Sequence, residues 1–126
     1  MKPILVDTDV LIDYLRGHQS AVDLITGTDR IVMISSLSIA ELYAGVKGDD
    51  EAKTLNDFIE TLEVVPVTAA LAKTAGSYRK KYLKSHNFGL ADAVIAATVQ
   101  QQGAVLMTLN VKHFPMLEGV RPAYGK

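Results

Sequence analysis

Asp7, Thr8 and Asp9 close an early apolar run, Ser35, Ser36 and Ser38 follow a second, and Thr108 and Asn110 follow a later one. Glu41 stands three positions after Ser38, and Asp92 lies near the start of the apolar stretch NFGLADAVIAATV. If these segments converge, three or four carboxylates share one hollow. No Lys or Arg lies within a few positions of Asp7 or Asp92 on that side, so the acids repel one another unless a cation joins them. Oxygen donors of this kind suit hard divalent ions. Mg2+ in particular keeps several waters and is held by few carboxylates together with phosphate oxygens of a substrate. His18, His86 and His113 show no close pairing and are expected at the surface rather than as zinc ligands. The absence of Cys excludes thiol nucleophiles, zinc-thiolate sites and iron–sulfur clusters.

Each of these residues also has a plain structural use. Asp9 suits the N-cap of the first helix. Ser38 and Glu41 match the capping box S-x-x-E, and Asp92 suits the positive end of a helix. Asp7 is different, because a carboxylate closing a strand buried on both faces is costly unless it is paired.

The elements that must position these groups follow from changes of apolar period. Residues 3–7 (PILVD) are short and β-branched, as in a strand buried on both faces. From Asp9 the spacing of Val10, Leu11, Tyr14 and Leu15 is helical, ended by Gly17, and a second helix is expected from Ser20 to Ile25. Strands are expected at 31–35, 64–67 and 104–107, the one at 64–67 weakened by Pro66. Helices are expected at 37–46, 50–62, from the Thr68 N-cap to Lys84, and at 90–102. Leu71, Ala75, Tyr78 and Tyr82 line one side of the helix after Thr68. Alternating strands and helices predict an α/β fold: one domain over residues 1–126, with a central, mostly parallel sheet of four or five strands and helices on both faces, a three-layer sandwich. Ligands of such sheets bind outside the carboxyl ends of the strands.

The chain has 126 residues, 48% of them hydrophobic, which is enough to bury a core without metal or cross-link. No secretory signal is visible and the longest uncharged stretch, 93–111, is broken by three glutamines and Gly103. A cytoplasmic location without membrane contact is therefore expected. Residues 1–63 hold 12 acids and 5 bases, whereas residues 64–126 hold 2 acids and 8 bases. This polarity suits an anionic partner on one face, although two ordinary solvated surfaces would look the same.

The stretches ILVDTDVLIDYLRG, ISSLSIAELYAG and GLADAVIAATVQQQGAVLMTLNVKHF, in that order and spacing, resemble the PIN-domain ribonucleases, and within them the VapC-type toxins of toxin–antitoxin pairs. The resemblance implies catalytic positions at Asp7, Glu41, Asp92 and Asn110, with Thr8, Ser38 and Thr108 in support. It implies a Mg2+- or Mn2+-dependent endoribonuclease in which Asp7 and Asp92 ligate an ion and Glu41 serves a second, weaker site. By the same resemblance Asn110 would hold an outer-shell water. Asn110 replaces an acid found in many relatives, and His113 stands where an acid is often seen. Arg79, Lys80, Lys81, Lys84 and Lys112 would hold the RNA backbone, a salt-sensitive interaction. The resemblance also implies a cognate antitoxin in an apolar groove, with Leu11, Leu15, Leu42 and Tyr43 as candidate surface, and a possible homodimer. Two other readings remain open at this point. ILVDTDVL nearly fits the D-x-D loop of haloacid-dehalogenase-type phosphatases, with Asp7 as nucleophile and Asp9 as general acid. A non-catalytic PIN-like module that binds RNA or a partner, its site decayed at Asn110, is the other.

Overall fold

The computed structural model describes residues 1–82 and 88–125. Four strands, β1 (Ile4–Val6), β2 (Val32–Ser35), β3 (Glu63–Val65) and β4 (Val105–Met107), form one sheet in the order β3-β2-β1-β4. Every strand pair is parallel. The third strand ends before Pro66 and lies at the sheet edge, so the missing proline N–H breaks no ladder. The helices are α1 (Thr8–Leu15), α2 (Gln19–Gly27), α3 (Ser36–Ala44), α4 (Gly48–Ile59), α5 (Ala69–Lys81) and α6 (Leu90–Gln102). A 3-10 turn, Val111–His113, follows β4.

Alternation along β1 divides the core. Ile4 and Val6 pack with Val10 and Leu11 of α1, Ala21 and Ile25 of α2, and Leu55 and Phe58 of α4. Leu5 points to the other face, against Ile95, Ala96 and Val99 of α6. There α5 packs on α6 through Leu71, Ala75, Ala93, Val94 and Ala97. A strand of three residues survives because all its side chains are buried, each such burial stabilising by about 1.5–3 kcal/mol. Helices on both faces make the expected three layers. Among the described residues no helix is long and apolar enough to cross a membrane.

Because the strands are parallel, their carboxyl ends share one edge. The chain runs from β1 outward to β2 and β3, while β4 lies on the other side of β1. The crevice between the ends of β1 and β4 is therefore the switch point of the sheet, where α/β sheets take ligands.

Candidate active site

Asp7 leaves β1 at this switch point. It is the N-cap of α1, its Oδ1 accepting the Thr8 N–H at 2.8 Å, and its Oδ2 accepts the Thr108 hydroxyl from the end of β4 at 2.8 Å. The N-cap is thus Asp7, not Asp9 as expected. Asp9 turns the other way. Its Oδ1 accepts the Val10 N–H at 2.7 Å, and its Oδ2 accepts the Leu109 N–H at 2.9 Å and the Asn110 Nδ2 at 3.1 Å. It ties the loop after β4 to the first turn of α1. Asp9→Ala would strand the Leu109 N–H and is expected to destabilise the protein by about 1–3 kcal/mol in denaturant unfolding.

Ser38 and Glu41 do not form a capping box. The first turn of α3 begins at Ser36 and is capped by Ser35, whose hydroxyl accepts the Leu37 N–H at 3.1 Å. One turn further in, Ser38 and Glu41 instead face Thr8, whose Oγ1 is 2.9 Å from Ser38 Oγ and 2.8 Å from Glu41 Oε1. The threonine has one proton and a carboxylate only accepts, so Thr8 donates to Glu41 while the buried Ser38 donates to Thr8. Glu41 is exposed and joins the site through this relay.

Asp92 lies in the first turn of α6, where its Oδ2 accepts the Gly89 N–H at 3.1 Å. The same oxygen is 3.3 Å from His113 Nδ1, so His113 belongs to the site rather than to the open surface. His18 is half-buried beside the Tyr124 ring, and His86 lies outside the described residues. Asn110 spends its Nδ2 on Asp9 and keeps its Oδ1 as an acceptor.

The electrostatics follow from burial. Asp7 is pushed up from 3.8 to about 6, first by burial, then by the Asp9 charge, with Asp92 adding a smaller push in the same direction. The Thr108 hydroxyl and Thr8 N–H oppose this rise. Asp9 is also raised, by burial first. Among the described residues no Lys or Arg forms an ion pair with Asp7, Asp9, Glu41 or Asp92. Oxygen donors whose negative charge is disfavoured and unneutralised fit a hard divalent ion. In their present rotamers, no three His, Asp or Glu side chains among the described residues form a ready-made metal cluster.

The other expected residues are placed as follows. Arg79, Lys80 and Lys81 occupy the last turn of α5, with both lysines exposed and Arg79 half-buried. Lys112 is exposed on the 3-10 turn, and Lys84 lies outside the described residues. Tyr78 and Tyr82 are packed rather than free: the Tyr78 hydroxyl bonds Gln100, and Tyr82 meets Phe88 edge-on. Leu11 belongs to the core and cannot serve as docking surface, Leu42 is largely buried but lines the groove between α1, α3 and α4, Tyr43 is half-buried, and Leu15 is exposed. A residue not anticipated is Tyr124, whose hydroxyl donates to the buried Asp13 at 2.7 Å while the neighbouring Ala123 N–H bonds the Thr108 carbonyl at 2.9 Å. The tail is thereby fastened beside the switch point.

Known proteins share this fold. The PIN domain profile matches residues 4–115. The chain is 41% identical over 125 residues to "Ribonuclease VapC10" of Mycobacterium tuberculosis, covering 97% of this chain and 93% of that one. It is 36% identical over 126 residues to "Ribonuclease VapC19" of the same organism, covering 95% and 98%. Among solved structures it is similar to a toxin-antitoxin complex from Klebsiella pneumoniae, with a TM-score of 0.84 and 26% identity over 98% of this chain and 99% of that one. With Asp7 bonded to Thr108 across the β1–β4 switch point and relatives of this identity spanning nearly its whole length, the chain belongs to the PIN-domain family, in its VapC branch.

Proposed function

We propose that the protein is a divalent-metal-dependent endoribonuclease, the toxin of a toxin–antitoxin pair, acting in the cytoplasm on RNA phosphodiester bonds. The observation that carries this reading is the Asp7–Thr108 bond across the switch point, with Asp9 and Asp92 close enough to raise the Asp7 pKa. Asp7 and Asp92 would hold the ion, Mg2+ or Mn2+, and Glu41 would serve a second, weaker site. When bound, such an ion lowers the pKa of a water and offsets charge on the phosphate. The chain's own residues supply order. Thr8 N–H and the Thr108 hydroxyl hold both oxygens of Asp7. The Thr8 hydroxyl holds Glu41 Oε1, which leaves Oε2 to orient the attacking water and accept its proton. Attack on phosphorus in line with the bond to the 3′ oxygen breaks that bond, leaving 5′-phosphate and 3′-hydroxyl ends. Asn110 Oδ1 is available to orient a further water. A phosphatase role for Asp9 as general acid is disfavoured, because three donors already converge on its carboxylate.

Lys80 and Lys81 with Arg79, Lys84 and Lys112 would carry the RNA backbone. Lys80→Ala/Lys81→Ala is expected to weaken RNA binding about tenfold at low salt and to lower the salt slope by about 1.4. An unchanged slope in a filter-binding series would remove this face from the proposal. For the antitoxin, a groove of about 520 Å³ between α1, α3 and α4 offers Ile12, Leu15, Val46 and Leu55 as apolar lining and ends at Glu41. An inhibitor seated there would reach the active site. A second copy of the chain remains a further proposed partner.

The deciding experiment is incubation of the purified, antitoxin-free protein with total cellular RNA, with and without Mg2+, followed by mapping of the ends. Discrete Mg2+-dependent cuts bearing 5′-phosphates are expected. RNA binding without cleavage at any divalent ion would support a non-catalytic module instead.

A further inference from the structure

His113 is set in the active-site loop by its backbone, its N–H bonding the Asn110 carbonyl at 2.9 Å just before the buried Phe114. This places its imidazole Nδ1 at 3.3 Å from Asp92 Oδ2, with both side chains partly open to solvent. An imidazole nitrogen and a carboxylate oxygen that close attract each other through a shared cation, either a proton or a metal ion. Two donors about 2.1–2.2 Å from one ion and at right angles to each other stand about 3 Å apart, so the observed separation suits a common ion. The surroundings favour the doubly charged choice: Asp92 lies within the field of Asp7, and Asp7 within that of Asp9. No Lys or Arg among the described residues pairs with any of them.

We propose that His113 is itself a metal ligand, its Nδ1 and Asp92 Oδ2 donating to the same divalent ion. This proposal rests on the metal-dependent reading above and adds a nitrogen donor to an otherwise all-oxygen set. Carboxylates and water suit Mg2+, whereas imidazole suits transition ions. The centre therefore discriminates against Mg2+ in favour of Mn2+ and later transition ions, and the residue at position 113 sets that preference.

Mn2+ added to the intact metal-free protein provides the test. Electron spin-echo modulation of the bound ion is expected to show coupling to 14N, and this coupling is lost in His113→Asp while Mn2+ still binds. Calorimetric titration with each ion alone is expected to show the ratio of Mg2+ to Mn2+ dissociation constants falling about tenfold in His113→Asp. Bound Mn2+ without nitrogen coupling in the wild type overturns the His113 proposal and leaves the metal-dependent reading standing. Coupling that persists in His113→Asp overturns it equally. Failure of the wild type to bind Mn2+ at all removes both.

Discussion

Asp7→Asn is expected to lower RNA cleavage by at least about 10³-fold, equivalent to about 4 kcal/mol of transition-state stabilisation, while making the metal-free protein more stable. The two effects have one cause. Asp7 is nearly buried, and burial with the Asp9 charge raises its folded pKa to about 6 from 3.8. For a carboxyl raised in this way the folded state binds the proton more tightly than the unfolded chain. Its contribution to stability is complete below about pH 4 and is lost as pH rises through about 6. At pH 8 without metal, the ionised carboxylate is thus a liability of at most about 2–3 kcal/mol. Asparagine removes the charge, keeps an oxygen for the Thr8 N–H, and offers an amide to Thr108. Urea unfolding of wild type and variant at pH 4 and pH 8 should show a gap in favour of the variant that opens with pH. A saturating divalent ion should close or reverse it. A variant less stable than wild type at pH 8 without metal would contradict this account of Asp7.

Thr108→Val is nearly isosteric and is expected to have the next largest effect. Thr108 is wholly buried, donates to Asp7 Oδ2, and accepts the Asn110 N–H at 3.0 Å. Valine leaves a carboxylate oxygen and a backbone N–H without these partners, a cost of about 2–3 kcal/mol in denaturant unfolding. The hydroxyl also lowers the Asp7 pKa, so without it Asp7 titrates higher still. The acid limb of the cleavage rate should move to higher pH, with activity at pH 6 falling about tenfold more than activity at pH 8. An unchanged pH profile with lowered stability would reduce Thr108 to a packing role.

Much of the scaffold is legible in the sequence because local composition and tertiary demand agree. The helix expected over 90–102 has those bounds, since Gly89 and Gly103 flank a run too apolar to be anything but buried. The first strand is legible from Pro3 to Asp7 for the same reason, although its ladder is only Ile4–Val6. Asp7, Asp92 and Thr108 can be suspected because polar residues ending parallel strands and starting helices gather at one edge. Local pattern fails where it serves two purposes. Ser38 and Glu41 have capping-box spacing, but positions three apart also share a helix face, and with α3 starting at Ser36 the second use prevails. Asp7 and Asp9 both suit an N-cap, and only the position of β4 decides that Asp9 turns to Leu109. The contacts of Tyr124 with Asp13 and of His113 with Asp92 join segments far apart in sequence, which no local period encodes.

The central claim is tested most directly by crystals of the protein grown with Mn2+ and measured at the manganese absorption edge. The account requires an anomalous peak bonded to both Asp7 and Asp92, with Thr108 still holding Asp7. At saturating Mn2+, an empty crevice, or a peak that touches neither of these carboxylates, would contradict it.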